Sequence, residues 1–417
     1  MLAALLTLAA GCAPAQEDAT LEIAQDPEDG ICAVGEQATF TVRLVADGRP
    51  ARGEVGYELT LDGARRLDAG TVQVGAEPGV IAASLDEPGV VRCKATYTVE
   101  GNTQSVLAGV AFSPERIEPT ATEPPDFDEW WAQQRALLAA TPVDAQVEER
   151  DPPQGVRALY KVSLATIEGR RVHGWLAVPE GEGPAPAVIA FSGAGVSGIS
   201  PAGAVGGALQ GFLSMHIIHH DFDVEIPAER AAELKAGELA GYTTLGRESR
   251  ETYYFRYVIL GCLRAIDFLA SRPEWDGQTL ICTGSSQGGG LSLIAAGLHE
   301  QVSALAANVP GLCDHTGRFF GRPSGWPRLI PSDDPNDPVA QVAPYYDAVN
   351  CARRFHGPAL LMVGLIDGTC PPMTVYSAYN VLDGPKQMLV FPRMGHAIPP
   401  EWSDHRWQWL RQQAGLE

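Results

Sequence analysis

The sequence predicts an α/β fold, with a mostly parallel sheet covered by helices on both faces, preceded by a small all-β sandwich. Three observations carry that expectation. Short apolar strand-like runs alternate with helical stretches from about residue 126 onward, which is the texture of a sheet buried on both sides. Residues 21–112 instead alternate with a period of two between turn dipeptides. A Pro-rich stretch over 113–125 separates the two textures and reads as a linker of limited flexibility. At 417 residues the chain can hold both units, and 45% hydrophobic against 19% charged residues describes a folded protein. The net charge of −21 excludes a broad nucleic-acid surface, because a phosphate backbone would be repelled.

The first residues point to export. Leu2 to Gly11 is an apolar run too short to span a bilayer, and it ends in small residues, so 1–15 reads as a secretory signal. Ala9-Ala10-Gly11-Cys12 is similar to a bacterial lipobox, which would lipidate Cys12 and anchor the chain to a membrane; Ala13-Pro14-Ala15 offers an ordinary cleavage site instead. The expected location is the periplasm, the cell surface or the medium.

In the first unit, Gln37–Leu44, Val55–Leu61 and Val90–Val99 alternate strictly, with turn signals at Asp47-Gly48, Asp62-Gly63 and Pro88-Gly89. Several short strands at this spacing predict an immunoglobulin-like sandwich. Export would allow Cys32 and Cys93 to pair, a staple that suits a small β domain. The later cysteines, Cys262, Cys282, Cys313, Cys351 and Cys370, read as buried free thiols; no Cys-x-x-Cys spacing points to zinc or redox chemistry. No metal or cofactor is expected.

The second unit, 126–417, opens with Asp126 as N-cap of an amphipathic helix. Strands are expected over Ala185–Phe191, His216–His220, Thr279–Thr283, Pro358–Gly364 and Met388–Phe391. Between the third of these and an apolar helix from Leu291 lies Gly284-Ser285-Ser286-Gln287-Gly288. Strand, sharp turn and helix are the context in which a Gly-x-Ser-x-Gly serine becomes a nucleophile. A serine hydroxyl needs a base, and the base an orienting acid. Asp367 follows the strand Pro358–Gly364 and His396 follows Met388–Phe391, so both emerge at the sheet edge that carries Ser286. His299, His356 and His405 lack that strand-end position. The oxyanion donors should be the backbone N–H of Gln287 and one from the Ser192–Gly195 loop, for which Ala194 is chosen.

From about residue 123 the chain resembles the acetyl xylan esterase and cephalosporin-C deacetylase family, carbohydrate esterase family seven of the α/β hydrolases. The motifs are Asp126–Trp131, Gly241–Gly246, Thr252–Arg256, Ser285–Gly290, Val309–Cys313, Asp367–Pro372 and Ala378–Asn380. The resemblance implies a triad of Ser286, Asp367 and His396, oxyanion donors at Gln287 and Ala194, and hydrolysis of short acyl esters, acetyl among them, on carbohydrate. It also implies closed homo-oligomers. Three positions depart from the family: Phe222-Asp223-Val224-Glu225 replaces its Arg-Gly-Gln, Ala194 its oxyanion tyrosine, and Ala397 its glutamate after the histidine. Trp326, in the insertion Arg322–Pro327, is assigned to the substrate pocket wall. His219, His220, Asp221 and Asp223 could suggest a metal, but the resemblance gives this segment a supporting role. A prolyl-oligopeptidase-type peptidase would share the triad order yet needs a β-propeller that under a hundred residues cannot form. A surface binding protein would have no use for an intact triad.

Overall fold

The computed structural model describes residues 18–416, so the expected signal segment and Cys12 lie outside the described residues. Nine strands come first: β1 (Thr20–Asp26), β2 (Ile31–Cys32), β3 (Ala38–Ala46), β4 (Arg49–Ala51), β5 (Gly53–Leu61), β6 (Arg65–Val74), β7 (Gly79–Ala83), β8 (Gly89–Val99) and β9 (Asn102–Phe112). β1, β3, β4 and β7 form one sheet, and a second runs β2-β9-β8-β5-β6. The alternation visible in the sequence becomes alternating burial: Ala38, Phe40, Val42 and Leu44 of β3 point inward together with Val55, Leu59 and Leu61 of β5, closing one core between the sheets.

The expected Cys32–Cys93 disulfide is absent, and sheet register explains why. Cys32 pairs with Phe112 across β2–β9, and Phe112 pairs with Gly89 across β9–β8, so Cys93 lies two strands over and four residues along. That offset amounts to about 16 Å between backbones, whereas a disulfide tolerates about 7 Å between Cα atoms. Both thiols are buried and free, as are Cys262, Cys282, Cys313, Cys351 and Cys370. Burial pushes the Cys93 thiol up to about 12.

Nine further strands build a single large sheet: β10 (Gln146–Arg150), β11 (Val156–Ala165), β12 (Arg171–Pro179), β13 (Ala185–Phe191), β14 (Leu213–Ile218), β15 (Trp275–Ser285), β16 (Ala304–Asn308), β17 (Ala359–Gly364) and β18 (Lys386–Phe391). Their order is β10-β11-β12-β14-β13-β15-β16-β17-β18. β14 through β18 are parallel, while β10, β11 and β12 add an antiparallel edge. Successive residues go to opposite faces. Ala187, Ile189, Leu305 and Leu361 pack under the helices Tyr254–Ala270 and Gln287–Leu298. Val188, Ile281, Leu360 and Met362 pack under Trp402 and Trp409 of the terminal helix Pro400–Gln413. Helices therefore cover both faces, which is why these strands read as continuous apolar runs.

The segment between the units is pinned rather than free. Thr120 and Ala121 donate backbone N–H groups to Asp314 Oδ1 at 2.9 and 2.8 Å, and Asn380 donates to the Pro114 and Ile117 carbonyls at 2.8 Å. Asp126 precedes the helix Phe127–Ala140, but its carboxylate takes Arg250 at 2.7 Å and the Tyr345 hydroxyl rather than capping the helix. The register makes a measurable statement about the thiols. Thiol titration of the protein unfolded without reductant should count Cys32 and Cys93 as free. Reductant should leave the Tm unchanged, where a bridge of this loop length would have supplied about 4 kcal/mol.

Candidate active site

β15 ends at Ser285 and the helix Gln287–Leu298 begins two residues later, which leaves the turn to Ser286 alone. Ser286 sits at φ 58°, ψ −122°, a left-handed conformation that a non-glycine residue adopts only when its surroundings dictate it. The surroundings are glycine. A Cβ on Gly288 would stand 2.1 Å from the Phe191 carbonyl oxygen, so only glycine lets helix and strand approach this closely. The Ser286 backbone is held from both sides, its N–H donating to Asn308 O at 2.9 Å and its carbonyl accepting from Gly311 N at 2.8 Å.

The structure brings the three residues expected from the sequence together. His396 Nε2 lies 2.9 Å from Ser286 Oγ, and His396 Nδ1 lies 2.7 Å from Asp367 Oδ2. Asp367 is fully buried, and its other oxygen accepts N–H bonds from Thr369 at 2.8 Å and Cys370 at 2.9 Å. With Asp367 an acceptor at Nδ1, that nitrogen carries the ring proton, and Nε2 is left to accept from the serine hydroxyl. Cys370 stands against this trio, its thiol pushed well up by burial. Asp367, Cys370 and His396 offer ligand atoms within 4.8 Å of one another, the sole such group found among the described residues. Their atoms are already committed to hydrogen bonds or held protonated, a poor starting point for metal binding.

The backbone N–H groups of Gln287 and Ala194 have no protein partner among the described residues, and Ala194 lies on the pocket surface beside Ser286. A network not foreseen from spacing holds this region. The Tyr242 hydroxyl donates to Gln287 Oε1 at 2.6 Å and accepts from Gly195 N at 3.2 Å. His220 fixes the same loop, with Nε2 donating to the Gly195 carbonyl at 2.9 Å. Its Nδ1 must then accept from the Tyr254 hydroxyl, 2.7 Å away, so the ring is neutral; burial, the main cause, pulls its pKa down to about 4. Tyr242 and Tyr254 both fall within the motifs Gly241–Gly246 and Thr252–Arg256, so a signal existed but its meaning needed the fold.

An open pocket of about 620 Å³ borders Ser286, walled by Gly193, Ala194, Val309, Trp326, Thr369 and Ile398. Trp326 is thus one of the residues that line the pocket beside Ser286. The other histidines are elsewhere: His299 bonds Asp267 at 3.0 Å, His356 bonds Asp383 at 2.6 Å, and His405 is in the terminal helix. His219 stacks edge-on with His220, Asp221 reaches His173 at 3.2 Å, and Asp223 and Glu225 each bond Lys161 at 3.0 Å. The segment that replaces Arg-Gly-Gln is accordingly tied to the antiparallel edge of the sheet.

A parallel sheet wrapped by helices, with a serine on a strained strand–helix turn and a histidine–aspartate pair at neighbouring strand ends, defines an α/β hydrolase. The sequence profile of the acetyl xylan esterase family matches residues 115–322 and 325–413, and the chain belongs to that family. It is 32% identical over 391 residues to the acetyl esterase Axe7A of Xylanibacter ruminicola, covering 92% of this chain and 88% of that one. Among solved structures it is similar to an acetyl xylan esterase from Paenibacillus sp. R4 (29% identity, TM-score 0.63), covering 72% of this chain and 98% of that one. Acetyl xylan esterase 1 of Thermoanaerobacterium sp. JW/SL YS485 shares the fold at 24% identity, with a TM-score of 0.61 and coverage of 72% and 97%. The protein is therefore a carboxylic ester hydrolase.

The Tyr242 network yields a test. Tyr242→Phe removes one hydroxyl and leaves the Gln287 carbonyl and the Gly195 N–H unpaired. Steady-state kinetics should show kcat down about tenfold with KM within about twofold, and denaturant titration a loss of about 1–2 kcal/mol.

Proposed function

We propose that the protein removes O-acetyl groups from a carbohydrate through an acyl-enzyme on Ser286. The observation that carries this reading is the position of His396, within hydrogen-bond reach of Ser286 and Asp367 at once. Ser286 Oγ attacks the acetyl carbonyl carbon as His396 Nε2 takes its proton, and Asp367 stabilises the imidazolium that forms. The oxyanion of the tetrahedral intermediate accepts the N–H groups of Gln287 and Ala194. Collapse breaks the ester C–O bond, and His396 returns the proton to the departing sugar hydroxyl. Water then enters by the same route and releases acetate, restoring the serine.

The family match and the relative named as an acetyl esterase support acetyl as the acyl group. The half-buried indole of Trp326 at the pocket wall suits a sugar ring as the alcohol portion. Two open sheets ahead of the catalytic unit, rather than a ring of propeller blades, speak against a prolyl-oligopeptidase-type peptidase. In the same reading the first unit is an immunoglobulin-like sandwich, its support being two facing sheets with one core. Export, with or without a lipid on Cys12, rests on the Leu2–Cys12 sequence alone.

Purified protein should release p-nitrophenol from p-nitrophenyl acetate and acetate from acetylated xylo-oligosaccharides. Ser286→Ala should cut turnover on the order of 10⁴-fold or more without changing the Tm by more than a few degrees. Faster cleavage of a proline amide than of either ester would replace this reading with the peptidase. Intact-mass measurement of the mature protein from membranes should show a diacylglyceryl adduct if Cys12 is lipidated; soluble protein starting after Ala15 would show simple secretion.

A further inference from the structure

The N-terminal sandwich makes contact with the catalytic unit at a chemically sensitive place, the loop that starts at Asp367. Arg92 of β8 is almost wholly buried and pairs with Asp62, which is fully buried at the turn after β5. Each partner also reaches across to the other unit. Arg92 Nη2 donates to the Asp367 carbonyl oxygen at 2.5 Å, and Asp62 Oδ2 accepts the Met373 N–H at 2.8 Å. One ion pair thus holds both ends of the segment 367–373, whose first residue supplies the carboxylate facing His396. The neighbouring strand end is held as well. Gly109 N of β9 donates to the Pro392 carbonyl at 3.0 Å, four residues before His396. A Cβ on Gly109 would lie 2.7 Å from Leu365 Cβ, so β9 lies directly against the end of β17.

Burying two charges is costly, and a buried pair is weak support for stability on its own. What such a pair does well is fix position, and the two hydrogens of Arg92 Nη2 allow one nitrogen to serve a carboxylate and a carbonyl together. Of the two, Arg92 reaches the backbone of the triad acid itself, and Asp62 holds Arg92 there. We propose that the sandwich is a working part of the catalytic apparatus, with Arg92 a positioning residue that, through the Asp62 pair, sets where Asp367 presents its carboxylate to His396. This rests on reading Ser286, His396 and Asp367 as the triad.

The test uses the full chain carrying Arg92→Met together with Asp62→Asn, which removes both charges and leaves no orphan ion in the interface. Circular dichroism and gel filtration establish that the variant is folded. Two signals are then read: kcat and KM on p-nitrophenyl acetate, and the low-field proton resonance of His396 Nδ1–H, which is assigned by its loss in Asp367→Asn and is independent of turnover. Positioning predicts a kcat reduced by about ten- to a hundredfold, KM within about twofold, and a displaced or broadened resonance. A folded variant with wild-type kcat and an unmoved resonance, whatever its Tm, overturns the proposal and reduces the pair to interface packing. A wild-type protein that shows the resonance yet hydrolyses no ester would overturn the esterase reading instead, and the effect of the double substitution on the resonance would still decide the role of Arg92.

Discussion

The near-contact of strand and helix around Ser286 is the constraint from which the site is built. Gly288 allows the helix to begin against the Phe191 carbonyl, and that approach forces Ser286 into the left-handed region. Once the serine is fixed there, its hydroxyl stands clear of the sheet with the first N–H of the helix beside it. Everything else must then be delivered to that point by the sheet. Parallel strands bring β13, β15, β17 and β18 to the same edge, so the loops that follow them meet around Ser286, with His396 within hydrogen-bond reach of its hydroxyl and Asp367 behind His396.

Much of this arrangement was legible from the residues. Ala185–Phe191 and Ala359–Gly364 are apolar throughout and bounded by breakers, so their strands emerged almost to the residue. Asp367 and His396 followed because each lies just past such a strand. β16 was missed: Ala304–Asn308 is mostly alanine, a poor strand former in isolation, and it is extended because β15 and β17 pair with it on either side. The strands β10 and β11 were also overlooked, being largely exposed or half-buried and without the apolar density of the central strands, as was β12, which is mostly buried but opens with the polar residues Arg171 and His173.

Where the reading failed, the missing information was spatial. Cysteine spacing says nothing of strand row, and the row separates Cys32 from Cys93. Arg92 and Asp62 look like ordinary surface residues of a sandwich, because their partners lie 275 and 311 positions away. Tyr242 carries recognisable motif context and His220 ends an expected strand, yet their common target, the Gly195 loop, is evident only once the sheet has brought the segments together.

The core of the sandwich takes in Val363, Leu365, Met373, Val375 and Tyr376, all from the catalytic unit. The two units are therefore not beads on a string that could be exchanged by recombination at the linker. Severing them would expose apolar surface on both pieces, each prone to aggregate. A different sandwich could close this core only by presenting the same apolar face to Val363, Leu365 and Met373, so the two units behave as one object. The alignment with the Xylanibacter ruminicola acetyl esterase covers 92% of this chain, so the similarity runs through the catalytic unit and into the sandwich.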